Sequence, residues 1–81
     1  MIKPGIYRHF KGQFYAVDNV AKHSESDELY VVYRALYGER GLWVRPLEMF
    51  DETIEREGVR MKRFAPASTE EIALLKSQQV D

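Results

Sequence analysis

The run Leu29-Tyr30-Val31-Val32-Tyr33-Arg34-Ala35-Leu36-Tyr37 is the densest stretch of β-branched and aromatic side chains in the chain. A polar cluster, Ser24 to Asp27, precedes it, and Gly38-Glu39-Arg40-Gly41 follows it. Such side chains suit a pleated, half-buried surface, and turn residues on both flanks hold the run to the length of a strand. It can only be one strand among several, because a lone strand has nothing against which to bury its apolar face.

The same punctuation recurs elsewhere. Pro4-Gly5 opens a first strand over Ile6 to Phe10, Lys11-Gly12-Gln13 turns it, and Phe14 to Lys22 returns antiparallel. After Gly41 a short fourth strand, Leu42 to Arg45, stops at Pro46, which has no amide proton to give a ladder. Leu47 to Phe50 is expected to form a helical turn that plugs one end of the sheet. Asp51 to Gly58 is charged and reads as solvated, and Val59 to Phe64 supplies a fifth strand. Ser68-Thr69-Glu70-Glu71 matches a capping box and predicts a helix over Thr69 to Gln78, with Ile72, Leu75 and Leu74 on its buried side. The fold expected is mainly β: a small antiparallel barrel or bent five-stranded sheet with a short C-terminal helix. Residues 1–66 would form the barrel domain and residues 67–81 a helical extension packed on it.

With 81 residues and no cysteine, the chain has no disulfide, thiolate zinc site or cysteine nucleophile, so a single apolar core must carry its stability. No apolar run approaches the roughly 18 residues of a membrane span. The N-terminus lacks the basic-then-apolar pattern of a secretory leader, so a cytoplasmic location without a membrane partner is expected. A net charge of −1 argues against indiscriminate nucleic-acid binding. The distribution is uneven, however. Lys3, Arg8, Lys11 and Lys22 stand against Asp18 alone in the first 23 residues, whereas Asp51, Glu52, Glu55 and Glu57 make a later segment acidic.

Turn positions suggest registers, and registers decide neighbours. With Phe10 opposite Phe14, His23 opposite Glu28 and Tyr37 opposite Leu42, the strands sort into two faces. Ile6, Phe10, Phe14, Ala16, Val20, Leu29, Val31, Tyr33, Ala35, Leu42 and Val44 form the expected core. Tyr7, His9, Tyr15, Val17, Arg34, Leu36, Trp43 and Arg45 share the other face. That pairing sets Arg34 beside Arg45, and like charges directly across a strand pair repel. Either a carboxylate of the chain, from Glu25, Glu48 or residues 51–57, folds over to neutralise them, or a ligand phosphate or carboxylate does. Tyr7, Tyr15 and Trp43 would then offer stacking surfaces.

His23-Ser24-Glu25 resembles a nucleophile with its base, but adjacent residues of an extended chain point to opposite faces. His23 and Glu25 could instead touch a ligand or a metal, although a metal site needs three or four converging groups. Ser24, Ser26 and Asp27 are the residue types that short polar reversals use to bind their own amides. No phosphate-cradling loop, dinucleotide fingerprint or zinc spacing is present, so no cofactor and no metal are expected. The predicted ligand-binding set is Tyr7, Tyr15, His23, Glu25, Arg34, Trp43 and Arg45, with no catalytic residue assigned. The function expected is a non-enzymatic binding module for a peptide or another anionic, partly aromatic ligand. Single-stranded nucleic acid on the same face is the alternative, and a small enzyme using His23 and Glu25 the third reading.

The blocks Gly5-Ile6-Tyr7-Arg8-His9-Phe10-Lys11-Gly12, Tyr15-Ala16-Val17, Ala21-Lys22-His23-Ser24-Glu25, Val31-Val32-Tyr33-Arg34-Ala35-Leu36-Tyr37-Gly38 and Trp43-Val44-Arg45-Pro46-Leu47-Glu48-Met49-Phe50 stand in fixed order. Together, over about residues 4–64, they resemble the bacterial domain-of-unknown-function family 1653. This chain has Ser26 where threonine often follows His-Ser-Glu, and Lys62 where proline often precedes Arg63-Phe64. The resemblance implies a small SH3-like barrel. It implies no established activity, cofactor or catalytic residue.

Overall fold

The computed structural model describes residues 2–78. In chain order it contains β1 (Gly5–His9), β2 (Phe14–Lys22), β3 (Leu29–Ala35), β4 (Leu42–Pro46), α1 (Leu47–Phe50), β5 (Thr53–Arg56), β6 (Val59–Lys62), β7 (Phe64–Pro66) and α2 (Thr69–Gln78). The fold is mainly β. Five strands form one antiparallel sheet in the order β4-β3-β2-β1-β7, while β5 and β6 form a separate hairpin. Among the described residues the large sheet is open, with β4 and β7 as its edges, so the bent sheet describes this fold and a closed barrel does not.

The expected fifth strand, Val59 to Phe64, divides at Arg63 into β6 and β7, and the segment read as solvated contains β5. Glu57 (φ 51°) and Gly58 (φ 79°) form the two-residue turn between β5 and β6. Two successive left-handed residues give the twist that a tight hairpin needs, and glycine takes the second position without strain.

A β-bulge between Val17 and Asn19 decides the faces. Beyond it the expected register holds: Lys22 lies opposite Leu29, Val20 opposite Val31, and His23 donates its amide to the Glu28 carbonyl (2.7 Å). Before the bulge the register slips by one, so Tyr15 faces Ala35 and Val17 faces Tyr33. A one-residue slip turns every side chain to the opposite face. The first hairpin is offset by two residues from expectation, with Tyr7 opposite Tyr15, which leaves its faces unchanged. In the third hairpin Arg34, not Tyr37, lies opposite Leu42, because residues 36–41 all belong to the turn. That odd offset of three places Arg34 and Arg45 on opposite faces, and their expected juxtaposition does not occur.

The core therefore combines the two expected faces. Tyr7, Val17, Val31, Tyr33, Phe50 and Phe64 are buried together, with Ile2, Tyr15, Val20 and Leu47 packed against them. Pro46 ends β4, and the α1 turn after it delivers Phe50 fully buried onto Phe64, with parallel rings 4.1 Å apart at centroid. Tyr7 and Tyr33 meet the Phe50 ring edge-on at 5.6 and 5.4 Å. Of the expected core, Leu42 and Val44 are exposed on the convex side.

At the C-terminus the capping box forms as expected. The Glu71 amide donates to Ser68 Oγ (3.1 Å), and the Ser68 amide donates to the Glu71 carboxylate (2.9 Å). Arg8 pairs with Glu71 at 3.4 Å, and Ile72 and Leu75 line a cavity of about 170 Å³ shared with Ile6, Leu36, Arg40 and Lys76 on the convex side. Leu74 points out to solvent. Removing the buried ring in Phe50→Ala is expected to cost about 3–5 kcal/mol, a large share of the roughly 5–15 kcal/mol that holds a native domain. Ser68→Ala is expected to cost about 1 kcal/mol through the lost cap. Urea unfolding followed by circular dichroism measures both.

Candidate ligand-binding face

The concave side of the sheet carries an aromatic floor built from four strands and the turn after β3. Tyr15 of β2 meets Tyr33 of β3 at 5.4 Å, Tyr37 at 5.5 Å and Phe64 of β7 at 5.4 Å, each edge to face. Its hydroxyl shares a 2.6 Å hydrogen bond with that of Tyr37. His9 of β1 packs on Phe64 at 4.9 Å and on Phe10 at 4.5 Å. Aromatic pairs in these arrangements attract beyond simple area burial.

Cations rim this floor. Arg45 of β4 sits over the Phe64 ring at 5.6 Å, and its Nε donates to the Tyr33 hydroxyl at 3.4 Å. Lys11, Arg56 and Arg63 stand 5.9, 5.3 and 5.8 Å from the Phe10 centroid. Of these four, only Arg63 has a carboxylate partner among the described residues, Glu52 at 2.6 Å. Half-buried Arg45 is held by a hydroxyl and a ring, and neither neutralises its charge.

His9 Nδ1 accepts the Lys11 amide (3.1 Å), which leaves Nε2 as the donor of the neutral ring. Burial lowers the His9 pKa below its usual 6.5, and the positive charges of Arg63, Arg45 and Lys11 lower it further. The Tyr15 hydroxyl is pushed above its usual 10, first by burial and then by its bond to Tyr37. Both groups therefore stay neutral at pH 7, so the positive charge of the face belongs to its arginines and lysine.

The seven predicted site residues separate into four places. Tyr15 and Arg45 belong to this face, and Trp43 adjoins it, lining with Ala35, Tyr37 and the turn a cavity of about 230 Å³. Tyr7, opposite Tyr15 on the same face, is buried against Phe50, and its hydroxyl donates to the Lys3 carbonyl (2.9 Å). Arg34 is exposed on the convex face, with Nη1 bonded to the Arg40 carbonyl (2.8 Å). His23 and Glu25 lie in the exposed turn at the far end of β2 and β3. There His23 Nδ1 accepts the amides of Glu25 (3.2 Å) and Ser26 (3.3 Å), and Ser26 Oγ accepts that of Glu28 (3.2 Å). Among the described residues no three His, Asp or Glu side chains gather as metal ligands. No helix among them is long and apolar enough to cross a membrane.

The sequence reading leaves Tyr33, Tyr37, Phe64 and Arg63 of this aromatic, cation-rimmed cluster out of its candidate set. It places Tyr33 in the core, where the structure also buries it, Tyr37 at a strand end, and Phe64 and Arg63 at the end of an undivided fifth strand. His9 shared the predicted polar face with Tyr15, which was the available signal for it.

A model of the family described as protein of unknown function (DUF1653) matches residues 5–66. The chain belongs to DUF1653. The matched region runs from β1 through β7 and includes every residue of the concave face. A crystal structure of a DUF1653 protein from Bordetella bronchiseptica superimposes with a TM-score of 0.75 at 37% identity, covering 82% of this chain and 87% of that one. No protein with a curated description matches it.

The depressed His9 pKa has a consequence for stability. Below pH 6.5 the unfolded chain takes up a proton on His9 before the folded chain does. His9 thus contributes stability that is complete above that pH and is lost as pH falls through the lower folded-state value. The urea midpoint is expected to decline over this window and His9→Asn to flatten the decline. An identical decline in the variant would assign it to other groups.

Proposed function

We propose that this DUF1653 chain is a binding module whose concave face takes an anionic ligand carrying a flat or apolar part. The observation that carries the reading is Arg45: a half-buried guanidinium on an aromatic ring, without a carboxylate partner among the described residues. A partly buried cation gives up hydration that an anionic partner or ligand would replace. A carboxylate or phosphate at Arg45 would meet a planar fork of donors, with Nε2–H of His9 on the same floor. Its flat portion would lie against Tyr15, Tyr37 and Trp43.

The sequence alternative of single-stranded nucleic acid needs a row of cations to follow the backbone. Of Lys3, Arg8, Lys11 and Lys22, only Lys11 joins the aromatic cluster, and Arg8 is engaged by Glu71. A short anionic ligand, such as a peptide carboxylate or an aromatic phosphate, fits this charge pattern better than a polyanion.

Phenyl phosphate, benzoate and a short oligothymidylate serve as probes in NMR titrations that read the Arg45 Nε–H, the His9 ring and the Tyr15 ring. Phenyl phosphate is expected to shift all three, and Arg45→Gln to weaken it by about tenfold or more, the worth of a charged hydrogen bond. Arg60→Gln, on the separate hairpin, should leave the affinity unchanged. Shifts confined to another surface overturn the assignment. Tighter binding of the oligonucleotide with a steep salt dependence replaces it with the nucleic-acid reading.

A further inference from the structure

We propose that β4 is the contact edge of a two-fold dimer, in which a second copy of this chain pairs antiparallel with it about an axis at Trp43. The inference rests on the hydrogen-bond pattern of β4 and not on the proposed ligand, although Trp43 and Arg45 belong to both surfaces. β4 pairs only with β3 among the described residues, and Leu42, Trp43 and Val44 are exposed in succession at 53%, 58% and 62%. Proteins blunt a free strand edge with charges, proline or very short strands. β7 has three residues and ends at Pro66, and the hairpin strands carry Glu55, Arg56, Arg60 and Lys62. From Gly41 to Val44, β4 and its approach have no charge at all.

The hydrogen-bond pattern selects the register. Ala35 donates its amide to the Gly41 carbonyl (3.1 Å), so the amides and carbonyls of Gly41, Trp43 and Arg45 point toward β3. By the same alternation those of Leu42 and Val44 point away from it, toward the free edge. A two-fold axis at Trp43 sets Leu42 opposite Val44 of the second copy and Val44 opposite its Leu42. Both pairs then complete their hydrogen bonds, and Pro46, which has no amide proton, falls outside the ladder. An axis one residue later would place Leu42 against Pro46 and leave the Leu42 carbonyl without a donor.

In the selected register the two Trp43 side chains meet at a non-hydrogen-bonded position, the closest cross-strand placement. The Trp43 indole leans back over Gly41, where a Cβ would stand 3.1 Å from Nε1. Arg45 faces Gly41 of the second copy, and the two Arg45 residues stand four positions apart, roughly 13 Å at about 3.3 Å per residue. That exceeds the Debye length of about 8 Å at physiological salt, so repulsion across the axis is largely screened. The contact is small beside the roughly 800 Å² per partner of a standard interface, so the dimer forms only at high concentration.

The test is sedimentation equilibrium of the full chain from micromolar to millimolar concentration. The mass is expected to rise from 9.5 kDa toward twice that value, and Val44→Lys, at an outward position, to remain monomeric with an unchanged circular dichroism spectrum. The register is tested by oxidation, since the chain has no cysteine of its own. Trp43→Cys should form an intermolecular disulfide, its Cα atoms about 4.5 Å apart. Val44→Cys, at a diagonal of about 7–8 Å, should not. A wild-type chain monomeric at millimolar concentration, a Val44→Lys variant that still dimerises, or faster crosslinking at Val44 than at Trp43 each overturns the proposal.

Discussion

The stack of Phe50 on Phe64 is the contact on which the rest of the structure depends. Phe64 belongs to one edge strand of the open sheet, and Phe50 follows directly from the other through the α1 turn. The two edges share no ladder among the described residues, so side chains hold the curl that backbone hydrogen bonds hold in a closed barrel. Tyr7 and Tyr33 add their edges to the stack, and Arg45 reaches from β4 across Phe64. Bending the sheet this way creates a single concave side, where a chain of this size can bury aromatic rings without any disulfide.

The concave face and the core are consequently one object seen from two sides. Phe64 is at once a core residue and the floor beneath His9, Tyr15 and Arg45. The bulge at Val17/Asn19 makes this possible, because it lets Val17 and Val20 both face inward along one strand. An unbroken β2 would have turned one of the two to solvent. Local irregularity of this kind bends a strand and re-aims its side chains.

Charge follows from the same geometry. Arg34 and Arg45, read as neighbours from sequence, are separated by the sheet itself, and neither has an ion-pair partner among the described residues. Arg34 is solvated and bonded to a carbonyl, a cheap arrangement for a surface cation. Arg45 is partly enclosed among rings and lacks that compensation. The chemical interest of the pair therefore reduces to one residue, and the cations around Phe10 extend its positive field.

Sequence alone determined the first four strands, the α1 turn after Pro46, the capped C-terminal helix and membership of the family. Each of these rests on interactions within a few residues: alternation, turn chemistry, a missing amide proton, a serine three residues before a glutamate. The β5–β6 hairpin escaped because Glu57 adopts a left-handed backbone that its type seldom takes, and its strands are rich in charge. Tertiary structure decided the bulge, the six-residue turn after β3, and with them which face of each strand is buried. It also decided that Phe64, distant in sequence, lies against His9, Tyr15 and Arg45. A side chain's face changes with every one-residue slip in register, and register is set by packing between strands far apart in the chain, so no local pattern could have specified it.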